Sequence, residues 1–296
     1  MKMIGNIELK TIAVTGATGR QGGAVIKHLL RVGNFRVKAL TREIESKRAQ
    51  HLRSLGVEVQ KADLDNVESL LQSLAGTDGI FSVQNYWEKN VGYDGEIRQG
   101  QNLANVAKQL GIKLFIQSTM ADGLTPFPDK LYHFRSKAMI EKHIDSIGLP
   151  RTFLGTVTFM DNILDPKLGG KWTFPFISKA IGHNSKYHML ATDDIGGVVA
   201  SIFLNPGKYI GRKINLSSDT PTIQEMREIY REVSGKPAKK IIFPVWLARM
   251  ISPEFIEQLE WQAKGYWNFS SDETKSIYPG VTTFKNFLIN NKVNNL

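Results

Sequence analysis

Short apolar runs alternate with helical patterns through the first half of the chain. Thr11-Ile-Ala-Val-Thr15 is a compact apolar run, too short for a helix, and predicts a first buried strand. Beyond a group of glycines, Val25, Ile26, Leu29 and Leu30 recur at helical spacing as far as Gly33-Asn34, a C-terminal stop. Phe35-Arg-Val-Lys-Ala-Leu40 alternates and predicts a second strand. The rhythm then repeats, with a helix near 45–55, a strand at Val57-Glu-Val59, a helix across Val67 to Leu74, and a strand at Gly79-Ile-Phe-Ser-Val83. A longer helix from about Asp94 to Leu110 leads into Lys113-Leu-Phe-Ile-Gln117, and one over about 130–147 leads into Arg151-Thr-Phe-Leu154. Strand and helix in steady alternation predict an α/β fold built on a doubly wound parallel sheet, Rossmann in type, over residues 1–156.

From about residue 157 the pattern breaks into short apolar pieces, with Gly169-Gly170 and prolines at 166, 175, 206 and 221. Residues 157–296 are therefore expected to form a smaller, irregular α/β substrate or partner region packed on the core rather than an independent domain. Two helices stand out within it. One covers Ile195 to Leu204, with Thr192 or Asp193 as its cap; the other covers Thr222 to Val233 and stops at Gly235 and Pro237. Capping also accounts for the Asp193-Asp194 pair better than catalysis does.

Four of the eight residues from Gly16 to Gly23 are glycine, between the first strand and the first helix. Gly16, Gly19 and Gly22 have the spacing G-x-x-G-x-x-G. At the first a side chain would obstruct the turn, at the second it would keep a diphosphate off the backbone, and at the third it would push the helix from the sheet. Helix-start amides and the helix dipole attract phosphate there. Thr15, Gly16, Ala17, Thr18, Gly19, Arg20, Gln21 and Gly22 are thus the expected dinucleotide cradle.

An NAD site of this kind carries Asp or Glu at the end of the second strand, for the ribose hydroxyls. Here that place reads Ala39-Leu-Thr-Arg42. A guanidinium suits a 2′-phosphate, so Thr41 and Arg42 point to NADP(H), with a solvated arginine as the alternative. Asp63, with Leu64 beside it, is placed toward the adenine. Gln84 and Asn85 after the fourth strand fall on the nicotinamide side, because ligands of such sheets collect at strand C-termini. Val157 and Phe159 after the sixth strand join the expected coenzyme contacts, and Phe159 with Met160 would also hold a substrate.

Gly16-Ala-Thr-Gly-Arg-Gln-Gly22, Thr41-Arg42, Ala62-Asp-Leu-Asp65, Asn85-Tyr-Trp87 and His133-Phe-Arg-Ser-Lys137 together resemble the NmrA-like branch of the atypical short-chain dehydrogenase/reductases. The resemblance extends through Thr192-Asp-Asp-Ile-Gly196 and the helix near 222–234. It implies an NADP-binding Rossmann core with a small C-terminal region. It also implies one of two functions, a cofactor-binding redox sensor or an NADPH-dependent reductase. Ordinary members of the wider superfamily use Ser and Tyr-x-x-x-Lys. This chain keeps Ser118 and Lys137 but has His133 at the tyrosine position, while Tyr132 lies about 100° round the helix. His133, Lys137, Ile140, Ile144 and Ile147 form one stripe, so the first two should face the protein with the isoleucines; a solvated pair at the helix start is the alternative. Catalytic roles are therefore expected of Lys137, His133 and Ser118, with Lys137 also holding the nicotinamide ribose.

Composition narrows the choice further. The 296 residues carry a formal net charge of +10, but the Lys and Arg are scattered. Direct nucleic-acid binding would rest on that charge and on Lys236-Pro-Ala-Lys-Lys240 alone, and is not expected. Without cysteine there is no disulfide and no thiolate chemistry, which suits a reducing compartment. His183 and His188 lack a third partner at metal spacing, so no metal is expected. No signal peptide and no membrane association are expected, and the location read from the sequence is cytoplasmic, with access to a nucleus in a eukaryote. The partners expected are a small-molecule substrate or a regulated protein, with a homodimer left open.

Overall fold

The computed structural model describes residues 8–165, 177, 181–237, 246, 249–250, 253–267 and 269–291. Gly169-Gly170, Pro166, Pro175 and the Ala238–Lys240 end of the basic piece lie outside the described residues. The strands are β1 (Thr11–Val14), β2 (Arg36–Thr41), β3 (Glu58–Lys61), β4 (Gly79–Ser82), β5 (Leu114–Met120), β6 (Arg151–Thr156), β7 (Thr158–Phe159), β8 (Met189–Leu190) and β9 (Lys213–Asn215). Between the first six run α1 (Arg20–Val32), α2 (Lys47–Ser54), α3 (Val67–Leu74), α4 (Gly92–Gln109) and α5 (Tyr132–Ser146). Later come α6 (Asp161–Leu164), α7 (Thr192–Leu204), α8 (Ile223–Ser234), α9 (Pro253–Ala263), α10 (Asp272–Ile277) and α11 (Phe284–Asn290).

Seven strands form one sheet in the order β3-β2-β1-β4-β5-β6-β9. β1 runs parallel to both β2 and β4, β2 to β3, and β4 to β5. The order departs in opposite directions from the β1–β4 pair, the topological switch point of a doubly wound sheet. All six predicted strands are present, and the Rossmann expectation stands. The seventh strand comes from the C-terminal half, where an irregular α/β region was expected but no strand was placed.

By its own contacts the chain divides into two compact units, and the division is not a single cut after residue 156. Met1–Met120, His133–Gly155 and Ile195–Ile214 form the first; Ala121–Tyr132, Thr156–Asp194 and Asn215–Leu296 form the second. The return of residues 195–214 to the first unit has a packing reason. Gly196 of α7 lies so close to α1 that a Cβ there would stand 2.3 Å from the Ala24 carbonyl oxygen.

The first unit's core interleaves Ala13, Leu40, Ile80 and Phe115 of the sheet with Leu70, Leu74, Leu103, Ala107, Ile140 and Ile144 of the helices. The caps of its helices differ in kind. The Ser46 side chain accepts from the Ala49 amide ahead of α2, and Asn66 accepts from Ser69 ahead of α3, whereas Gly19 gives α1 no side-chain cap. The first helix thus begins with amides that no capping side chain satisfies.

The second unit has its own core, in which Met160, Tyr187, Met189, Met226, Ile256, Leu259, Phe284 and Leu288 are buried together. Helix α8 is bounded as the sequence predicts. Thr222 and Glu225 form a capping box, and Gly235 closes the helix at φ 68°. The three helices α9 to α11 were not expected. The capping assignment for Thr192 also changes, because its hydroxyl donates to Asp161 Oδ1 at 2.7 Å and its amide to Oδ2 at 3.1 Å. Asp194 is a buried tie, accepting from Ser218 and from the amide and hydroxyl of Thr282, both at 2.9 Å. Burial pushes the Asp194 carboxyl up, against those hydrogen bonds.

His188 is buried beside Phe269 (ring centroids 5.1 Å apart) and Trp267 (6.1 Å). Desolvation holds its imidazole below the usual 6.5. Among the described residues no cluster of three or more His, Asp or Glu could hold a metal ion, and no helix is long and apolar enough to cross a membrane.

Two outcomes follow from these contacts. Gly196→Ala should cost about 1–3 kcal/mol through backbone overpacking, while Gly207→Ala, with nothing within 4 Å, should cost little by the same denaturation measurement. The unfolded chain binds a proton at His188 more readily than the folded one, so this contribution is complete above about pH 6.5 and is lost as pH falls below it. His188→Gln should therefore flatten the acid limb of a melting-temperature profile; an unchanged slope would remove the histidine from that limb.

Candidate functional site in the first unit

The glycine turn owes its shape to missing side chains. Gly16 has φ 57°, a left-handed value, and a Cβ there would lie 2.8 Å from Val83 Cγ1. At Gly22 a Cβ would stand 2.3 Å from the Gly16 oxygen and 2.8 Å from that of Thr15, which no backbone tolerates. Next to it, a Cβ on Gly23 would meet only the Ala17 oxygen at 3.7 Å, so the constraint is specific to the triplet. At Gly19 the nearest atom is the Gly16 oxygen at 3.1 Å, and the Gly19 amide donates to that oxygen at 2.8 Å. The turn therefore folds on itself and presents the uncapped start of α1. A cradle that a Cβ would fill, at an uncapped helix N-terminus, fits the diphosphate of a dinucleotide.

Several expected coenzyme residues carry structural bonds around this cradle. The Thr15 hydroxyl accepts from the Val83 amide at 2.8 Å and donates to the Val83 carbonyl at 3.0 Å, tying the end of β1 to that of β4. Ser118 donates to Gln21 Oε1 at 2.7 Å, linking the C-terminal half of β5 to the first turn of α1. Gln84 is buried with both ends of its amide in use. It donates to Ser82 Oγ at 2.9 Å and accepts from Gln117 Nε2 at 3.0 Å, while Ser82 donates to Gln117 Oε1 at 2.7 Å. This polar ring engages the Gln84 side chain within the protein; Asn85 beside it is exposed.

The segment after β3 is also held in place. Asn102 donates to the Leu64 carbonyl at 3.0 Å, Asp63 Oδ1 accepts from the Asp65 amide at 3.0 Å, and Asp65 is held by Arg98 (2.7 Å) and Gln99 (2.8 Å). Desolvation raises the Asp65 carboxyl, but the bonds from Gln99 and Arg98 bring it below its usual range.

Arg42, at the exit of β2 beside the half-buried Thr41, is ion-paired with Glu88 from the loop after β4. Its guanidinium is pushed up, chiefly by the Glu88 hydrogen bond and against desolvation. A second basic residue, Arg48 of α2, donates to the Thr18 carbonyl at 2.9 Å and braces the glycine turn. Arg48 lines a groove of about 730 Å³ with Thr18, Gly19, Arg20, Lys27, Lys47 and His51. Sequence reading had passed over Arg48, although it stands six residues after Arg42 on a basic first turn.

The stripe on α5 faces the protein as expected. His133, Ile140 and Ile144 are buried, and the Lys137 side chain is 16 % exposed. Lys137 is paired with Glu96 of α4, which is fully buried and also accepts from the Ser136 hydroxyl. The close approach has a cause one turn further along: Ile140 packs on Gly100, where a Cβ would stand 2.6 Å from Ile140 Cδ1. Glu96 was missed, yet a signal was present. It falls at −4, −7 and −11 from Gly100, Leu103 and Ala107, on the buried stripe of α4. An ammonium has three donors, so the Glu96 bond leaves two for other acceptors.

Aromatic rings surround His133, with Trp87 at 5.2 Å, Tyr86 at 5.8 Å and Phe134 at 4.6 Å between centroids. Tyr132, next to it, is 48 % exposed. Val157 and Phe159 belong to the second unit, where Val157 is buried and Phe159 half-buried in β7.

Comparison with known proteins finds that the NmrA-like family profile matches residues 8–288. The chain belongs to the NmrA-like family. Among curated relatives, the NmrA-like family domain-containing oxidoreductase lnaB of Aspergillus flavus is 28 % identical over 259 residues, covering 81 % of this chain and 78 % of its own. NmrA, a negative transcriptional regulator solved in complex with NADP, superposes with a TM-score of 0.73 at 21 % identity, over 96 % of this chain and 95 % of its own. Triphenylmethane reductase of Citrobacter sp., complexed with NADP(H), gives 0.75 at 23 % identity, over 95 % and 99 %. At these identities the structures share the fold with this NmrA-like chain.

Removing Lys137 strands a buried carboxylate, so Lys137→Ala should destabilise the protein by about 3–5 kcal/mol. Adding Glu96→Gln to it should recover a good part of that loss in chemical denaturation. A double variant no more stable than Lys137→Ala would mean that the ion pair is not what the single variant loses.

Proposed function

We propose that this NmrA-like protein is an NADPH-dependent oxidoreductase acting on a quinone or another small apolar carbonyl compound. The observation that carries the reading is the glycine cradle at the uncapped start of α1, in the same unit as Arg42 at the exit of β2 and the inward-facing Lys137. Relatives named as oxidoreductases and fold neighbours solved with NADP or NADP(H) support it. The amides of α1 would hold the diphosphate, Arg42 the 2′-phosphate, and the segment from Asp63 the adenine. NADPH, when bound, supplies the hydride. Lys137 would use its two remaining donors to orient the nicotinamide ribose, and Ser118, fixed through Gln21 in the C-terminal half of β5, would serve as a hydroxyl donor to a carbonyl oxygen.

A second reading, an NADP(H) sensor that regulates a protein partner, is favoured by one observation. His133 replaces the phenol acid and is enclosed by aromatic rings, which suits a residue that shapes a wall. Under this reading the cofactor must bind two states of the protein with different affinity.

Calorimetry should give clear binding of NADPH, and Arg42→Gln should weaken it roughly tenfold while moving NADH by less than about twofold, the effect of one charge-assisted hydrogen bond. Loss of NADPH absorbance with a quinone panel is the expected sign of turnover. Binding without turnover on any acceptor, accompanied by a cofactor-dependent change in light scattering, would favour the sensor instead.

A further inference from the structure

Glu88 has no part in the coenzyme contacts assigned above, yet it occupies the residue on which coenzyme preference depends. The Arg42–Glu88 pair joins the exit of β2 to the loop after β4 across 46 positions of sequence. The Glu88 side chain is 31 % exposed and that of Arg42 53 %, so the pair sits at the surface, accessible to a ligand. Such a contact is held weakly and can be exchanged for a stronger anion. A phosphate monoester is that anion: it carries close to two negative charges and can take a guanidinium edge-on. Asp63 and Asp65 also act on Arg42 electrostatically, so the guanidinium already stands in a negative surrounding of which Glu88 is the contacting member.

We propose that Glu88 sets the coenzyme preference of this protein, as a built-in counter-ion of Arg42 that a 2′-phosphate must displace and an unphosphorylated ribose need not. The proposal rests on the NADP(H) reading given above. A carboxylate bound to the guanidinium lowers NADPH affinity by the cost of breaking the pair and by repulsion of the incoming phosphate. NADH meets neither penalty. Glu88 therefore narrows the gap between the two coenzymes that Arg42 opens.

The position of Glu88 gives the exchange a further consequence. It follows Tyr86 and Trp87, whose rings lie against His133, and precedes Asn90, a non-glycine residue at φ 68°. Displacing Glu88 thus acts on the loop that walls His133. The adenosine end of the coenzyme and the His133 surroundings are joined through three consecutive residues.

The test is calorimetric titration of wild type and Glu88→Gln with NADPH, NADH, adenosine 2′,5′-bisphosphate and 5′-AMP. Loss of the exposed pair should tighten NADPH and the bisphosphate by roughly three- to tenfold, leaving NADH and 5′-AMP within about twofold. Unchanged or weaker NADPH binding by Glu88→Gln, with NADPH still bound by both proteins, would overturn the role of Glu88 and leave the coenzyme reading intact. No binding of NADPH or of the bisphosphate by either protein would overturn both. Equal tightening of NADH and NADPH would also overturn it, because the carboxylate would then act on something other than the 2′-phosphate.

Discussion

The first unit depends on backbone meeting backbone at both sides of α1. On one side Gly22 lies against the carbonyls of Thr15 and Gly16, and on the other Gly196 of α7 lies against the carbonyl of Ala24, each so close that a Cβ would fall 2.3 Å from oxygen. Side chains at such contacts could adjust by changing rotamer; peptide groups cannot. Helix α1 is therefore fixed in position and pitch, and with it the direction in which its first amides point. The Ser118–Gln21 and Thr15–Val83 hydrogen bonds then secure the same end from the neighbouring strands. Positioning donors before any ligand arrives removes an ordering cost that flexible donors would carry.

A similar close approach positions the other half of the candidate site. Gly100 lets α5 settle on α4 at Ile140, and one turn earlier this brings Ser136 and Lys137 onto Glu96. A fully buried carboxylate is costly without partners, and here it has a hydroxyl and an ammonium. The pair stabilises α5 against α4 and holds Lys137 at a defined place. For a reductase, that would make Lys137 a positioned donor. For a sensor, the same pair would serve the packing of two helices.

What could be read from the sequence tracks how local the signal was. Six strands and the helices between them follow from periodicity and glycine stops, and their observed bounds fall within a few residues of those expected. The glycine triplet was legible because each position has a separate steric reason for lacking a side chain. Glu96, Glu88 and Gln117 were not singled out, since each acquires its role from a residue more than thirty positions away: Lys137, Arg42 and Gln84. The second unit was least legible. Its core joins Met160 to Leu288, and helices α9 and α11 are stabilised by that assembly rather than by a repeating local pattern. Thr192 shows the same limit on a small scale, a sound local cap whose hydroxyl goes instead to Asp161.

Where a sequence rule names a residue, the structure adds the competitor for it. Arginine at the end of β2 reads as a 2′-phosphate ligand because no acceptor is there for a ribose hydroxyl. Folding brings Glu88 to that arginine from another loop, so a 2′-phosphate arriving there, as proposed, would meet a guanidinium already paired. The relevant quantity is then the difference between two ion pairs. With the resident pair exposed and the incoming one doubly charged, such an exchange would favour phosphate, but by less than the bare guanidinium would give. On the proposed reading, preference for one nicotinamide coenzyme would be a property of the two loops that follow β2 and β4, brought to either side of β1 by the strand order of the sheet, and not of the second strand alone.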